Sequence, residues 1–296
     1  MRPEGIIVPI VTPMRDDGSV DLGGLAGQVE RQVAAGVHGI FCFGTNGEGY
    51  ALSAAEKRDV LSCVVGCVAG RLPVYAGTGC VTTRDTVEQS RMARDVGADA
   101  LSVVTPWFAK ASQDELERHY RTVAASVDLP IVLYNIPART GNALEPDTVG
   151  RLSRVENVVG VKDSSGDWDT LSSYLGAARD GDFSVLCGND GLILRALDAG
   201  AAGAVAGCAN VYPETVVGIY EGWRTGDREL AEECQGNVAP LRSCFRYGNP
   251  NTVVKTAVRL LGYPVGPCRA PFDSLPEEGL AALRAVLDAD AARGVR

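Results

Sequence analysis

The sequence lacks features that are typical of proteins that bind nucleic acids or membranes. It holds 28 Lys and Arg against 37 Asp and Glu, a formal net charge of −9, so the basic face that nucleic acid requires is missing. No apolar run approaches the ~18 residues of a membrane span. The apolar stretch near the N-terminus is broken by Pro9 and Pro13, unlike a signal peptide. We expect neither a nucleic-acid partner nor a membrane partner.

Metal-binding patterns are also scarce. The chain has two histidines and no Cys-x-x-Cys among its nine cysteines. Cys63 and Cys67 share a helix face at i,i+4 spacing, but no third or fourth ligand is nearby in the sequence. We therefore expect no metal site. An odd number of cysteines without a pairing pattern indicates reduced thiols and a cytoplasmic protein.

Apolar, strand-like runs alternate with helix-like segments eight times. Parallel neighbouring strands need a crossover helix, and eight such units close a (β/α)₈ TIM barrel. A doubly wound open sheet is the alternative, but no Gly-x-Gly-x-x-Gly follows any run. The eight runs are Ile6–Val11, Val37–Phe43, Pro73–Ala76, Ala100–Val104, Ile131–Tyr134, a sixth that ends in Lys162, Phe183–Cys187 and Gly203–Ala206.

The alternation stops at about residue 225, and helical patterns follow at residues 227–246, 251–262 and 276–292. Their apolar faces indicate helices packed on the barrel. We expect residues 1–225 to form the catalytic barrel and residues 226–296 a helical C-terminal domain. Two capping boxes mark helix starts earlier in the chain, Ser53 with Glu56 and Ser112 with Glu115.

The sixth run, Val158-Val159-Gly160-Val161, leads directly into Lys162. A continuous apolar run predicts a strand that is buried on both faces, with Lys162 at its carboxyl end. Burial disfavours the charged ammonium, and a neutral amine can form a Schiff base with a ketone or aldehyde. The alternative is a lysine that simply reaches solvent where the strand stops.

Further polar residues follow strands two and five, at the edge where such barrels hold their active sites. Thr45, Asn46 and Gly47 lie in a glycine-flanked loop, Tyr134 ends the fifth run, and Arg139 follows it. Each has a plainer interpretation: a tight turn, an aromatic of the barrel wall or a surface charge. Glu48 is expected to orient the loop rather than to exchange protons.

Together these residues predict imine chemistry. Lys162 is the nucleophile, and Tyr134 donates and accepts protons. Thr45 and Asn46, with loop N–H groups, bind the carboxylate of a 2-oxo acid, and Arg139 suits a second carboxylate. The protonated imine is itself the electron sink, so we expect no cofactor.

Three motifs carry a resemblance to a known family: Gly-Thr-Asn-Gly-Glu (44–48), Tyr-Asn-Ile-Pro-Ala-Arg-Thr-Gly (134–141) and Gly-Val-Lys-Asp-Ser-Ser-Gly-Asp (160–167). They resemble the dihydrodipicolinate synthase / N-acetylneuraminate lyase family over nearly the whole chain. The resemblance implies a pyruvate-dependent class I aldolase built as a homotetramer, a dimer of dimers. It assigns the Schiff base to Lys162, the active-site tyrosine to Tyr134 and carboxylate binding to Thr45 and Asn46. We add Gly47, Ala206 and Phe108 to the predicted substrate-binding set.

Two positions depart from the family pattern. Asn46 stands where a second threonine is usual, and Pro106-Trp107-Phe108 stands where the synthases have Pro-Tyr-Tyr. In the synthases the second of those tyrosines reaches a neighbouring subunit and completes a proton relay. Phe108 has no hydroxyl for this role. Arg139, in contrast, matches the position that binds the carboxylate of aspartate semialdehyde.

The main hypothesis is therefore a class I aldolase or lyase that joins pyruvate to an aldehyde, or releases it, through an imine on Lys162. The first alternative is synthesis of 4-hydroxy-tetrahydrodipicolinate from pyruvate and aspartate semialdehyde, in lysine biosynthesis. A 2-keto-3-deoxy sugar acid dehydratase and a non-catalytic metabolite-binding protein are further alternatives. A phosphate-binding barrel is disfavoured, because no basic residue immediately follows strand eight.

Overall fold

The computed structural model describes residues 1–177 and 182–296. Eight parallel strands close into a barrel in sequence order, and each strand pairs with its neighbours in the chain. The prediction of a (β/α)₈ barrel with a helical C-terminal extension is confirmed. The strands are β1 Gly5–Pro9, β2 Gly39–Cys42, β3 Val74–Gly77, β4 Ala100–Val104, β5 Ile131–Asn135, β6 Val158–Asp163, β7 Ser184–Cys187 and β8 Gly203–Val205.

The first strand ends two residues earlier than its apolar run. The N–H of Val11 donates to the side chain of Asn210 at 3.0 Å, so it is not available to the sheet ladder. A buried N–H needs some partner, and a side-chain oxygen serves as well as a strand. Hydrophobicity alone cannot reveal this change of partner.

Helices surround the barrel and continue beyond it. The two predicted capping boxes are present at Ser53 and Ser112. The helices are α1 Leu22–Ala34, α2 Ala54–Val68, α3 Thr83–Val96, α4 Gln113–Ala124, α5 Pro137–Thr140, α6 Pro146–Leu152, α7 Trp168–Ala177, α8 Ile193–Asp198, α9 Pro213–Thr225, α10 Arg228–Ser243, α11 Pro250–Leu260 and α12 Glu277–Ala292, with short 3₁₀ turns at Asp190–Leu192, Gly207–Asn210 and Cys244–Tyr247.

Alternate residues of the strands fill the barrel interior. Side chains on a strand alternate between its two faces, so the remaining strand residues face the helices. Tyr134 lies two residues beyond the inward-facing Val132, and Lys162 pairs with Tyr134 on the next strand. Both therefore belong to the next inward layer, at the carboxyl edge. The buried inward-facing cluster consists of Ile7, Phe41, Tyr75, Ala100, Val132, Leu186 and Val205.

The C-terminal helices pack closely on the barrel. Helix α10 lies against α9 with little space between them: a Cβ on Gly222 would come within 2.8 Å of the backbone nitrogen of Ala231. Helix α9 ends at Thr225 and α10 begins at Arg228. We propose that the domain division falls here, with residues 226–296 as a helical extension. Within the described ranges no helix is long and apolar enough to cross a membrane.

Candidate active site

Lys162 and Tyr134 lie side by side at the carboxyl edge of the barrel, as paired residues of β6 and β5. They are 4% and 5% exposed, so Lys162 is buried at the strand end as predicted, and the alternative of a lysine that reaches solvent is wrong. The Lys162 Nζ atom lies 3.8 Å from the centre of the Tyr134 ring and 5.2 Å from the centre of the Phe41 ring. Strand β6 packs tightly against β7 at Gly160, where a Cβ would lie 2.6 Å from the Ser184 carbonyl oxygen.

The Tyr134 phenol is placed for proton exchange. Its oxygen lies 3.4 Å from the Thr45 hydroxyl. Burial acts to raise the pKa of Tyr134, but the Lys162 ammonium and hydrogen bonds with Thr45, Lys162 and Ser164 outweigh it, and the pKa lies below its usual value. The structure thus brings together Lys162, Tyr134 and Thr45, the three residues predicted to be catalytic.

The glycine-rich loop after β2 contacts neighbouring residues at two points. The Thr12 hydroxyl donates to the Gly47 carbonyl at 2.7 Å. A Cβ on Gly207, after β8, would lie 2.6 Å from the Asn46 side-chain nitrogen, so this glycine leaves the room that the amide occupies. Thr45 and Asn46 line one cavity with Lys162.

Glu48 orients this loop, as expected. It is fully buried with φ of +52°, and its carboxylate accepts from Lys255 Nζ on α11 at 2.7 Å and from the Arg269 backbone N–H at 2.7 Å. Lys255 is itself 1% exposed. A buried charge needs a partner, and each member of this pair provides one. The C-terminal helices therefore hold the loop that carries Thr45 and Asn46.

Two adjoining cavities open at this edge, of about 270 and 260 Å³. Thr45, Tyr134 and Arg139 line both of them. The first is largely aromatic, with Phe41, Phe43, Tyr50, Trp107 and Phe272 in its wall. The second contains Lys162 and the groups that follow β7 and β8, and it is the cavity where a keto acid can reach the amine.

Arg139 lies on α5 at the mouth of both cavities. Its side chain is exposed and donates to the Asn249 side chain at 3.1 Å. A hydrogen bond holds this short helix in place, because the Thr105 hydroxyl donates to the Thr140 hydroxyl at 2.8 Å. This position suits contact with a polar substrate group.

Three predicted substrate-binding residues, Gly47, Phe108 and Ala206, line neither cavity as the described residues define them. Phe108 is 97% exposed with φ of +76° and points away from its own barrel. Ala206 is buried, and its N–H donates to the Ile7 carbonyl at 3.0 Å. Its neighbours Val205 and Gly207 line the second cavity instead. Ala206 therefore shapes the strand end without facing the cavity.

Sequence reasoning missed three polar residues of this edge. Asn142 donates to the Pro106 and Ala109 carbonyls, both at 2.8 Å, and so holds the turn that carries Phe108. Asp190 and Arg242 line the second cavity. Asp190 lies three residues after the end of strand seven, so its position was a usable signal. Arg242 lies far along the chain on α10, and no local pattern indicates that it returns to the barrel.

The closed barrel and the buried lysine and tyrosine at its carboxyl edge define a class: a barrel enzyme that works on a small carbonyl compound in a polar cavity. Comparison with known proteins specifies it further. Residues 2–290 match the model of the "Dihydrodipicolinate synthetase family". The chain belongs to this family. The predictions of the family, of a class I aldolase and of a carbon–carbon lyase are thereby confirmed.

Three relatives illustrate the similarity. A 4-hydroxy-tetrahydrodipicolinate synthase of Methanoculleus marisnigri is 42% identical, over 96% of this chain and 98% of its own. An uncharacterised DapA-like lyase of Halobacterium salinarum is 41% identical, over 96% and 92%. The crystal structure of a chloride-inhibited dihydrodipicolinate synthase from Acinetobacter baumannii, complexed with pyruvate, superposes with a TM-score of 0.94 at 34% identity, over 97% and 99% of the two chains.

Proposed function

We propose that this protein joins pyruvate to an aldehyde, or releases it, through an imine between pyruvate and Lys162. The observation that carries the proposal is the buried Lys162 amine, 3.8 Å from the Tyr134 ring centre, in a cavity that also contains Thr45 and Asn46. The pyruvate complex of the Acinetobacter baumannii relative supports the same keto acid. No step needs a cofactor, because the imine withdraws electrons itself.

The proposed roles follow the chemistry in order. The neutral Lys162 amine attacks the keto carbon, and water leaves to give the imine. Loss of a proton from the pyruvate methyl group gives an enamine, whose carbon attacks the aldehyde and forms the new C–C bond. Hydrolysis then frees Lys162. Tyr134 supplies and removes the protons, aided by its contact with the Thr45 hydroxyl at 3.4 Å. Asn46 and the loop N–H groups hold the carboxylate.

The second candidate is 4-hydroxy-tetrahydrodipicolinate synthesis, with aspartate semialdehyde as the aldehyde. The name of the Methanoculleus relative and the position of Arg139 at the cavity mouth support it. Phe108 opposes it, because a phenyl ring cannot relay protons. The similar identity of a relative named only as a lyase means that identity does not decide between these candidates. Initial rates with aspartate semialdehyde, beside a panel of other aldehydes, decide directly.

The decisive experiment is borohydride trapping with pyruvate, read by peptide mass spectrometry. The chain has only four lysines, at positions 57, 110, 162 and 255, so the adduct is easily assigned. We expect the reduced adduct on Lys162, and we expect Lys162→Ala to lose both adduct and turnover while its circular dichroism is unchanged.

Lys110→Ala is the matched control, since Lys110 is exposed and donates only to the Gly141 carbonyl among the described residues. It should keep both signals. An adduct with longer keto acids but not with pyruvate would favour the sugar-acid dehydratase. No adduct with any keto acid would favour a non-catalytic binding protein.

We also propose a homotetramer of the dimer-of-dimers type. The 97% exposure of Phe108 supports contact with a second copy, and so do the exposed aromatic rings of Tyr50 and Phe272, whose centres lie 5.9 Å apart. Sedimentation equilibrium measures the mass directly. A cytoplasmic location is proposed on the cysteine content described above.

A further inference from the structure

Arg242 enters the Lys162 cavity from an unexpected direction. It lies in the last turn of α10, outside the barrel strands, and lines the second cavity together with Thr45 and Asn46. The side chain is 28% exposed. Gly191 leaves it room, since a Cβ there would lie 3.2 Å from the Arg242 Nε atom. The side chain therefore extends towards the substrate cavity.

The guanidinium of Arg242 has few hydrogen-bond partners among the described residues of the protein. Among residues 1–177 and 182–296 its one hydrogen-bond partner is Asp190, at a long 3.5 Å from Nη1 to Oδ2. Asp190 is already held by the Cys208 N–H at 2.8 Å through its other oxygen, and burial raises the pKa of Asp190 despite Arg242. An arginine carries five N–H donors, so most of them are left for another acceptor.

The charges of the cavity favour an anion. Its basic lining residues are Arg139, Lys162 and Arg242, and its one acidic lining residue among the described residues is Asp190. The imine occupies Lys162 during the reaction, and Asn46 and the loop N–H groups serve the keto-acid carboxylate. Arg242 is then a second cation, on a different helix from Arg139, without an assigned ligand.

We propose that Arg242 is a specificity-determining residue that binds an anionic group at the end of the aldehyde away from the reacting carbonyl. The inference rests on the proposed aldolase function and narrows its substrate class to aldehydes with a terminal carboxylate or phosphate. A neutral aldehyde is less suited, because it brings no charge to form a charge-assisted hydrogen bond with the guanidinium.

The test compares aldehydes in the pyruvate-dependent condensation. Succinic semialdehyde supplies the carboxylate, glyceraldehyde 3-phosphate the phosphate, and butyraldehyde and glyceraldehyde serve as neutral counterparts. For the wild type we expect a higher kcat/KM with at least one anionic aldehyde than with its neutral counterpart. Arg242→Gln should lower kcat/KM for that anionic aldehyde about 10- to 100-fold, as loss of a charge-assisted hydrogen bond does. The change should fall mainly on the aldehyde KM.

Two variants separate recognition from structure. Arg242→Lys keeps the charge and should recover part of the lost preference. Arg228→Gln, on the first turn of the same helix and paired with Asp198 and Glu232, should behave as the wild type. The carboxylate and phosphate arms then identify the anion.

The proposal is overturned if Arg242→Gln slows neutral and anionic aldehydes equally, if it raises the KM for pyruvate instead, or if the wild type prefers the neutral aldehydes. Borohydride trapping with pyruvate alone involves no aldehyde. Failure of that adduct in the wild type would overturn the aldolase function, whereas a normal adduct without anion preference would overturn only the role of Arg242.

Discussion

Phe108 combines two features: an exposed aromatic ring and the absence of a hydroxyl group. It is 97% exposed, in a left-handed backbone conformation at φ of +76°, which few non-glycine residues adopt. That conformation directs the ring away from its own barrel. The resemblance places the relay tyrosine of the synthases here, and Phe108 offers the same shape without the hydroxyl. By that resemblance, the position retains an aromatic ring that can contact a second copy and lacks a group that can transfer a proton.

Phe108→Tyr should raise 4-hydroxy-tetrahydrodipicolinate formation by about 10-fold or more, because a positioned proton donor contributes about 10²- to 10⁴-fold. The measurement is the initial rate with pyruvate and aspartate semialdehyde. Phe108→Leu, which also lacks a hydroxyl, is the control and should show no gain. An unchanged rate for Phe108→Tyr would remove the missing hydroxyl as the factor that limits synthase activity.

At the scale of elements, helix α11 supports the loop that carries Thr45 and Asn46. The link is the buried pair of Lys255 with Glu48, 2.7 Å apart and 207 residues apart in the chain. The Arg269 N–H adds a second bond to the same carboxylate. The helical extension is thus part of the active-site support.

Lys255→Met should lower the free energy of unfolding by about 3–5 kcal/mol, because it leaves the Glu48 carboxylate buried without its cation. It should also raise the KM for pyruvate as the loop loses its support. Urea denaturation and steady-state kinetics measure the two effects.

The double variant Glu48→Gln, Lys255→Met removes both charges and should regain much of the lost stability. Lys110→Met, at an exposed lysine, should be close to neutral. If Lys255→Met were as stable as the wild type, the pair would not hold the loop.

The sequence predicted the barrel because its strands and helices alternate in a regular pattern that needs only local information. Lys162, Tyr134 and Thr45 were predicted as catalytic because they lie at the ends of apolar runs or just after them. Arg242 and Lys255 were not found, because their contacts with Asp190 and Glu48 join distant parts of the chain. Ala206 was placed one residue off the cavity wall, since hydrophobicity does not tell which face of a short strand end turns inward.

At the scale of the whole molecule, one buried histidine couples stability to pH. His119 is 5% exposed and contacts the Thr83 hydroxyl through Nδ1 at 2.9 Å, while Nε2 has no partner among the described atoms. Burial lowers the pKa of His119 from 6.5 to about 4. Between these values the unfolded chain binds a proton that the folded chain does not, so stability falls as the pH decreases.

We expect the wild type to lose about 2 kcal/mol of unfolding free energy between about pH 7.5 and about pH 5 through this group. His119→Gln does not titrate and should remove that part of the loss. Urea denaturation at the two pH values measures it, with His38→Gln, at the other histidine of the chain, as the control. An equal pH slope in wild type and His119→Gln would exclude His119 as its origin.

The Asn142 side chain has a consequence for how this protein can change over generations. It pins the Pro106–Ala109 turn, which presents Phe108 outward, and it lies three residues after Arg139, which faces the substrate. A mutation that shifts this segment to admit a new aldehyde also moves the surface offered to a neighbouring molecule. In the proposed homotetramer, substrate choice and self-association would therefore change together at this point, and selection on one trait would constrain the other.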